Sequence, residues 1–130
     1  MILVDTSAWI EFFRGDGACA DRVGLLLESD EVALCGPVLT EIRRGLIAGA
    51  TRSRVLDLLS GCHLLPQPAD LWEDAGDLGA IVRKRGRTIK SLDLLIATYA
   101  LAHSVEILTT DGDFTLIQQA GIGLRLAPGC

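Results

Sequence analysis

The chain has 130 residues, 49% apolar and 22% charged, which suits one folded domain, is short for two, and lies outside the low-hydrophobicity range of disordered chains. No apolar run approaches the roughly 20 residues that span a bilayer, and the start MILVDTS has neither a basic leader nor a small-residue cleavage site, so a cytoplasmic protein with no membrane partner is expected. A formal net charge of -5 argues against a generic nucleic-acid binder, yet Arg83, Lys84, Arg85, Arg87 and Lys90 fall in one segment and Arg43 and Arg44 in another.

In chain order, Ile2-Leu3-Val4 before Asp5 reads as a short buried strand, because a continuous Leu and β-branched run fits a parallel strand covered on both faces. Thr6 or Ser7 is placed to cap a helix over Ala8 to Arg14, where Trp9, Phe12 and Phe13 recur at helical spacing, and Gly15-Asp16-Gly17 stops it. The spacing of that aromatic stripe favours core packing over a base-stacking platform. A second helix is expected from Cys19 to Glu28, then a strand over Glu31 to Cys35, and a helix opened by Pro37 that ends near Gly49. Arg52 to Ser60 reads as its hairpin partner, followed by a short strand at His63 to Leu65.

Asp70 to Lys84 carries Leu71, Ala75, Leu78, Ile81 and Val82 at helical period, and a basic loop from Arg85 to Lys90 leads to a helix starting at its cap, Ser91. Leu92, Leu95, Ile96 and Tyr99 mark that helix's expected buried face. Val105 to Leu108 resumes the strand pattern, Asp113 to Ala120 is the last expected helix, and Leu124 to Leu126 the last strand. Strands that alternate with helices or helix pairs require crossover connections, which predicts an α/β fold, a three-layer α/β/α sandwich with a mostly parallel central sheet, in a single domain over residues 1–130.

Cys19, Cys35, Cys62 and Cys130 lie far apart with no C-x-x-C pair, so they read as small buried thiols rather than a disulfide framework or a zinc site. His63 and His103 offer too few nitrogens for a histidine-based site and take structural or surface roles.

Four acidic signals remain: Asp5, Glu41, Asp93, and Asp111 with Asp113. Each alone is ordinary cap, turn or solvated-helix chemistry. Their placement is not ordinary, because Asp5 and Asp111 directly follow strand runs, where open α/β sheets bind ligands. Glu41 sits one turn into the Pro37 helix, pointing partly inward, and Asp93 lies in the first turn of the Ser91 helix. Carboxylates converging at one sheet edge repel by about 4 kcal/mol per close pair at an effective dielectric of 20, a cost that a bound cation removes. With no clustered His or Cys, the ligands are hard oxygens, which select Mg2+ or Mn2+.

Val-Asp5-Thr-Ser, Thr-Glu41, Leu-Asp93-Leu-Leu-Ile-Ala97 and Leu-Thr109-Thr-Asp111-Gly-Asp113-Phe114 resemble, in order and approximate spacing, the acidic motifs of PIN-domain ribonucleases. The length and helix-rich layout look most like the VapC toxins of bacterial toxin-antitoxin pairs, and the resemblance spans essentially the whole chain. It implies an endoribonuclease dependent on Mg2+ or Mn2+, in which Asp5, Glu41, Asp93 and Asp111 form the acidic quartet and Asp113 is an additional acid near the metal. Asp5 and Asp93 are the first choice as direct ligands, with Ser7 and Thr109 as supporting hydroxyls. Gly112 stands where relatives often carry a basic residue, which removes a substrate contact there. The resemblance further implies an RNA substrate guided by Arg43, Arg44, Arg83, Lys84, Arg85, Arg87 and Lys90, a VapB-like antitoxin that blocks the acidic pocket, and a toxin homodimer.

Three other classes compete. A receiver-type signalling domain needs a second acid beside Asp5 and a lysine after a late strand, where Thr109-Thr110 stand instead. A haloacid-dehalogenase-like phosphatase needs an acid two residues after its nucleophile, where Ser7 stands. A non-catalytic RNA- or protein-binding module with the same acidic pocket is the remaining alternative.

Overall fold

The computed structural model describes residues 1–46 and 49–130. Its centre is a four-stranded sheet of β1 (Ile2–Val4), β2 (Val32–Leu34), β3 (His63–Leu64) and β4 (Glu106–Leu108), in the order β3-β2-β1-β4 with every neighbouring pair parallel. Parallel pairing forces each connection to cross over. Helices α1 (Thr6–Arg14) and α2 (Ala18–Glu28) join β1 to β2, α3 (Gly36–Arg44) and α4 (Ala50–Ser60) join β2 to β3, and α5 (Leu71–Lys84) and α6 (Ser91–His103) join β3 to β4. Helix α7 (Asp113–Gln119) follows β4. The result is the expected α/β/α sandwich.

The strands are short but buried, as their continuous apolar runs require: Leu3, Val4, Ala33 and Ile107 are wholly inaccessible. Strand β3 is the exception, an exposed two-residue edge. Trp9 is completely buried and packs against the rings of Phe12 and Phe13, with centroids 6.0 and 5.5 Å away, so the stripe runs from core at Trp9 through half-buried Phe12 to Phe13, which is exposed at the surface. Helix α6 is more enclosed than its pattern suggested, with Ile96 to Ala100 all buried, because it packs against α3, α5, α7 and β4.

Several expectations are corrected. The α1 cap is Asp5, which accepts from the Ser7 N–H at 3.4 Å; Thr6 and Ser7 already lie inside the helix. Lys90, not Ser91, occupies the cap position of α6, and no side chain there bonds the helix end. Helix α3 stops at Arg44, before a glycine of low helix propensity, rather than near Gly49; residues 47 and 48 of the longer expected helix lie outside the described residues. The expected last strand is a single parallel bridge between Leu126 and Ile107, held because Ile107 N–H donates to the Arg125 carbonyl at 3.0 Å and Ala127 N–H donates back at 2.8 Å. It cannot lengthen, since Gly123 sits at positive φ on one side and Pro128 lacks a donor on the other.

The cysteine reading also changes: Cys19 and Cys130 form a disulfide that ties the C-terminal residue to α2, while Cys35 and Cys62 are free. Their separation of 111 residues hid the pairing, which depends on the tail returning over α2 so that Gly129, at φ +122, packs on the Arg22 side chain. The two histidines are structural, with His63 Nε2 3.0 Å from Asp30 Oδ1 and His103 Nε2 2.8 Å from the Pro66 carbonyl.

A candidate metal centre at the carboxyl edge of the sheet

The chain adds β2 and β3 on one side of β1 and then places β4 on the other. The crevice between the carboxyl ends of β1 and β4 is therefore the topological switch point of the sheet, the place where open parallel sheets bind ligands. Asp5 ends β1 and its N–H donates to the Leu108 carbonyl of β4 at 2.9 Å. Helix α6 leads directly into β4 and so begins at this same edge, carrying Asp93, while α3 leaves β2 there, carrying Glu41.

Two hydroxyls fix Asp5. Ser7 Oγ and Thr109 Oγ1 each donate to Asp5 Oδ2 at 2.8 Å. Each also accepts a backbone N–H, Ser7 from Thr110 at 3.0 Å and Thr109 from Asp111 at 2.9 Å. Both hydroxyls thus have donor and acceptor satisfied, and together they lock the turn after β1 to the loop after β4. All three donors to Asp5 use one oxygen, leaving Oδ1 without a protein donor among the described residues.

Across the crevice, Asp93, Asp111 and Asp113 bring one carboxylate oxygen each to within 4.8 Å of one another. Asp111 divides its work: Oδ1 accepts the Asp113 N–H at 3.0 Å, which secures the start of α7, and Oδ2 faces Lys90. Asp93 is only 5% exposed, and its Oδ2 is buried with no hydrogen-bond partner. Burial pushes Asp93 up to about 7, with the nearby Asp111 and Asp5 charges adding to the rise and Lys90 opposing it. A buried carboxylate with one unpartnered oxygen, clustered with two further carboxylates, fits a cation, and the all-oxygen donor set fits a hard one.

Glu41 on α3 is tied to the start of α1, where Thr6 Oγ1 donates to its Oε1 at 2.8 Å; among the described residues, neither Glu41 nor Asp5 falls within the three-acid cluster. Glu41 is half-buried, as its position in α3 predicted. Thr6 is the participant that sequence reading missed; its only signal was a hydroxyl immediately after the strand-end acid. Of the basic candidates, Arg83, Lys84, Arg85 and Arg87 are exposed around the α5 to α6 connection, and Arg43 and Arg44 are exposed at the end of α3. Lys90 differs from them, because its ammonium lies 3.6 Å from Asp93 Oδ2 and 3.7 Å from Asp111 Oδ2.

The family model for the PIN domain matches residues 2–119. The chain belongs to the PIN-domain family. Within it, the chain is 36% identical over 122 residues to ribonuclease VapC11 of Mycobacterium tuberculosis, covering 90% of this chain and 91% of that protein, and equally so to a VapC ribonuclease of Mycobacterium bovis. The PIN fold is shared with the solved VapBC2 of Rickettsia felis, bound to a promoter DNA fragment (21% identity, all of both chains, TM-score 0.75). It is likewise shared with VapBC-1 of Haemophilus influenzae (24% identity, 98% of this chain and 97% of that one, TM-score 0.75). At those identities the likeness speaks for the fold. Among the described residues of this PIN domain, no helix is long and apolar enough to cross a membrane.

Proposed function

We propose that this PIN domain is an endoribonuclease that requires Mg2+ or Mn2+ and acts as the toxin of a VapBC pair. The observation that carries the reading is the clustering of Asp93, whose Oδ2 is buried and unpartnered, with Asp111 and Asp113 at the sheet's switch point. The naming of relatives 36% identical over nine-tenths of the chain as VapC ribonucleases supports it. Asp93, Asp111, Asp113 and Asp5 would hold the cation, with Glu41 completing the acidic set. A divalent metal supplies there an acidified water and a counter-charge for the phosphoryl oxygens as they gain negative charge.

The chain's own residues do the rest. Ser7 and Thr109 aim Asp5 by fixing one of its oxygens, and Thr6 aims Glu41. Burial raises the Asp93 pKa in the metal-free chain, so a cation binding there would displace a proton below neutral pH. The exposed arginines and lysines flanking the edge give the RNA backbone a cationic approach to an otherwise acidic centre. Water-derived cleavage of this kind leaves 5'-phosphate and 3'-hydroxyl ends.

The partners in this reading are RNA, a VapB-like antitoxin that covers the acidic crevice, and a second copy of the chain. Solved VapBC assemblies and a toxin-antitoxin complex of Klebsiella pneumoniae share the fold, which supports the antitoxin. Expression in a bacterial host tests the proposal: growth arrest that disappears with Asp93→Asn, and RNA fragments bearing 5'-phosphates, are expected. Unimpaired growth with intact RNA would contradict it and favour a binding module without chemistry.

A further inference from the structure

Lys90 stands apart from the other basic residues of its segment. Its backbone is pinned by Ile89, which is 7% exposed, at the start of α6. Its side chain is 71% exposed, yet the ammonium turns back to lie 3.6 Å from the unpartnered Asp93 Oδ2 and 3.7 Å from Asp111 Oδ2. Both distances exceed hydrogen-bond length, so the ammonium supplies charge without satisfying the buried oxygen. With Asp93 ionised, three negative charges converge where Asp93, Asp111 and Asp113 meet, and one ammonium leaves about two of them uncompensated. Lysine suits such a temporary post, because it is a compact point charge on a flexible stem. The exposed stem lets the ammonium swing out into water at little cost to the lysine, while the Asp93 carboxylate it leaves, 7% exposed, is taken over by the incoming cation.

We propose that Lys90 is the built-in counter-cation of the metal-free centre, a positioning residue that holds Asp93 and Asp111 in place and yields them when a divalent cation binds. The inference rests on the metal-centre reading given above. It makes Lys90 a competitor for metal rather than only a contact for RNA, and it explains why this basic residue, unlike Arg83 to Arg87, reaches into the acids.

Mn2+ binding to the full chain without RNA, followed by calorimetry or Mn2+ spin resonance, tests this together with thermal unfolding of the metal-free protein. Lys90→Met is expected to bind Mn2+ about fivefold more tightly, the scale of losing one ion-pair competitor whose ammonium is solvent-exposed. It should also melt at lower temperature without metal and gain more from Mn2+ than wild type does. Lys90→Arg should keep the wild-type affinity, and Arg14→Met, which removes a cation paired with Asp16 outside the centre, should do the same. Wild type that binds no Mn2+, or Asp93→Asn that binds as tightly as wild type, overturns the metal centre and this proposal with it. If wild type binds, Asp93→Asn does not, and Lys90→Met matches wild type or binds more weakly, this proposal alone is overturned.

Discussion

Thr109 and Asp5, 104 residues apart in sequence, are joined by a 2.8 Å hydrogen bond from Thr109 Oγ1 to Asp5 Oδ2. That bond crosses the switch point of the sheet and makes Thr109 a positioning residue for the proposed metal ligand.

Thr109→Val keeps the shape but removes the donor to Asp5 and the acceptor for the Asp111 N–H. Leaving such part-buried groups unpaired costs roughly 1–3 kcal/mol of stability. Loosening a metal ligand's support lowers metal affinity or activity by roughly 10- to 100-fold. Mn2+ titration and RNA cleavage beside wild type check both effects; Thr109→Ser, which restores the hydroxyl, should recover most of the loss.

The pH dependence of stability follows from Asp93. Its carboxyl ionises near 3.8 when free and about 7 in the folded chain, raised mainly by burial. Between those values the folded state holds a proton that the unfolded state has released, so the Asp93 contribution to stability falls as pH rises from about 4 toward 7. A cation on the carboxylate relieves that penalty. Thermal unfolding at pH 5 and pH 8 should therefore show a larger stabilisation by Mg2+ at pH 8, and Asp93→Asn should abolish the difference. A larger metal effect at pH 5 would contradict this account.

The Cys19–Cys130 disulfide closes nearly the whole chain. Cross-links over long loops typically stabilise by roughly 2–4 kcal/mol, which for a domain of this size corresponds to roughly 10 °C. Cys130→Ser should lower the melting temperature by that order under oxidising conditions and by almost nothing in excess reductant. Equal melting of the two proteins in both conditions would show that the bond contributes no stability.

Much of this arrangement was legible in the residues. The apolar triplets of β1 and β2 and the periodic faces of α1 and α5 announced themselves, because burial on both faces of a parallel strand, or on one face of a helix, leaves a local pattern. Asp5, Asp93 and Asp111 were visible for a related reason, since each follows a strand or opens a helix at the sheet's carboxyl edge, and Glu41 stood out one turn into a helix that leaves that edge. What stayed hidden was set by distant partners. The Cys19–Cys130 bond depends on how the tail returns, the Thr6 contact with Glu41 on how α1 faces α3, and the inward turn of Lys90 on a side-chain rotamer that composition reads only as one more basic charge. Asp5 itself displaced Thr6 and Ser7 as the α1 cap, so one carboxylate serves both the helix start and the proposed metal centre.

The central claim is that the acids at the switch point form a metal-dependent nuclease site, and cleavage of RNA by the purified full-length chain tests it most directly. Wild type should cleave with Mg2+ or Mn2+ and stop in excess chelator, while Asp93→Asn and Asp5→Asn, with circular dichroism matching wild type, should each lose at least about 100-fold in rate. Cleavage that persists in chelator, or that proceeds equally in wild type and both folded variants, would contradict the account.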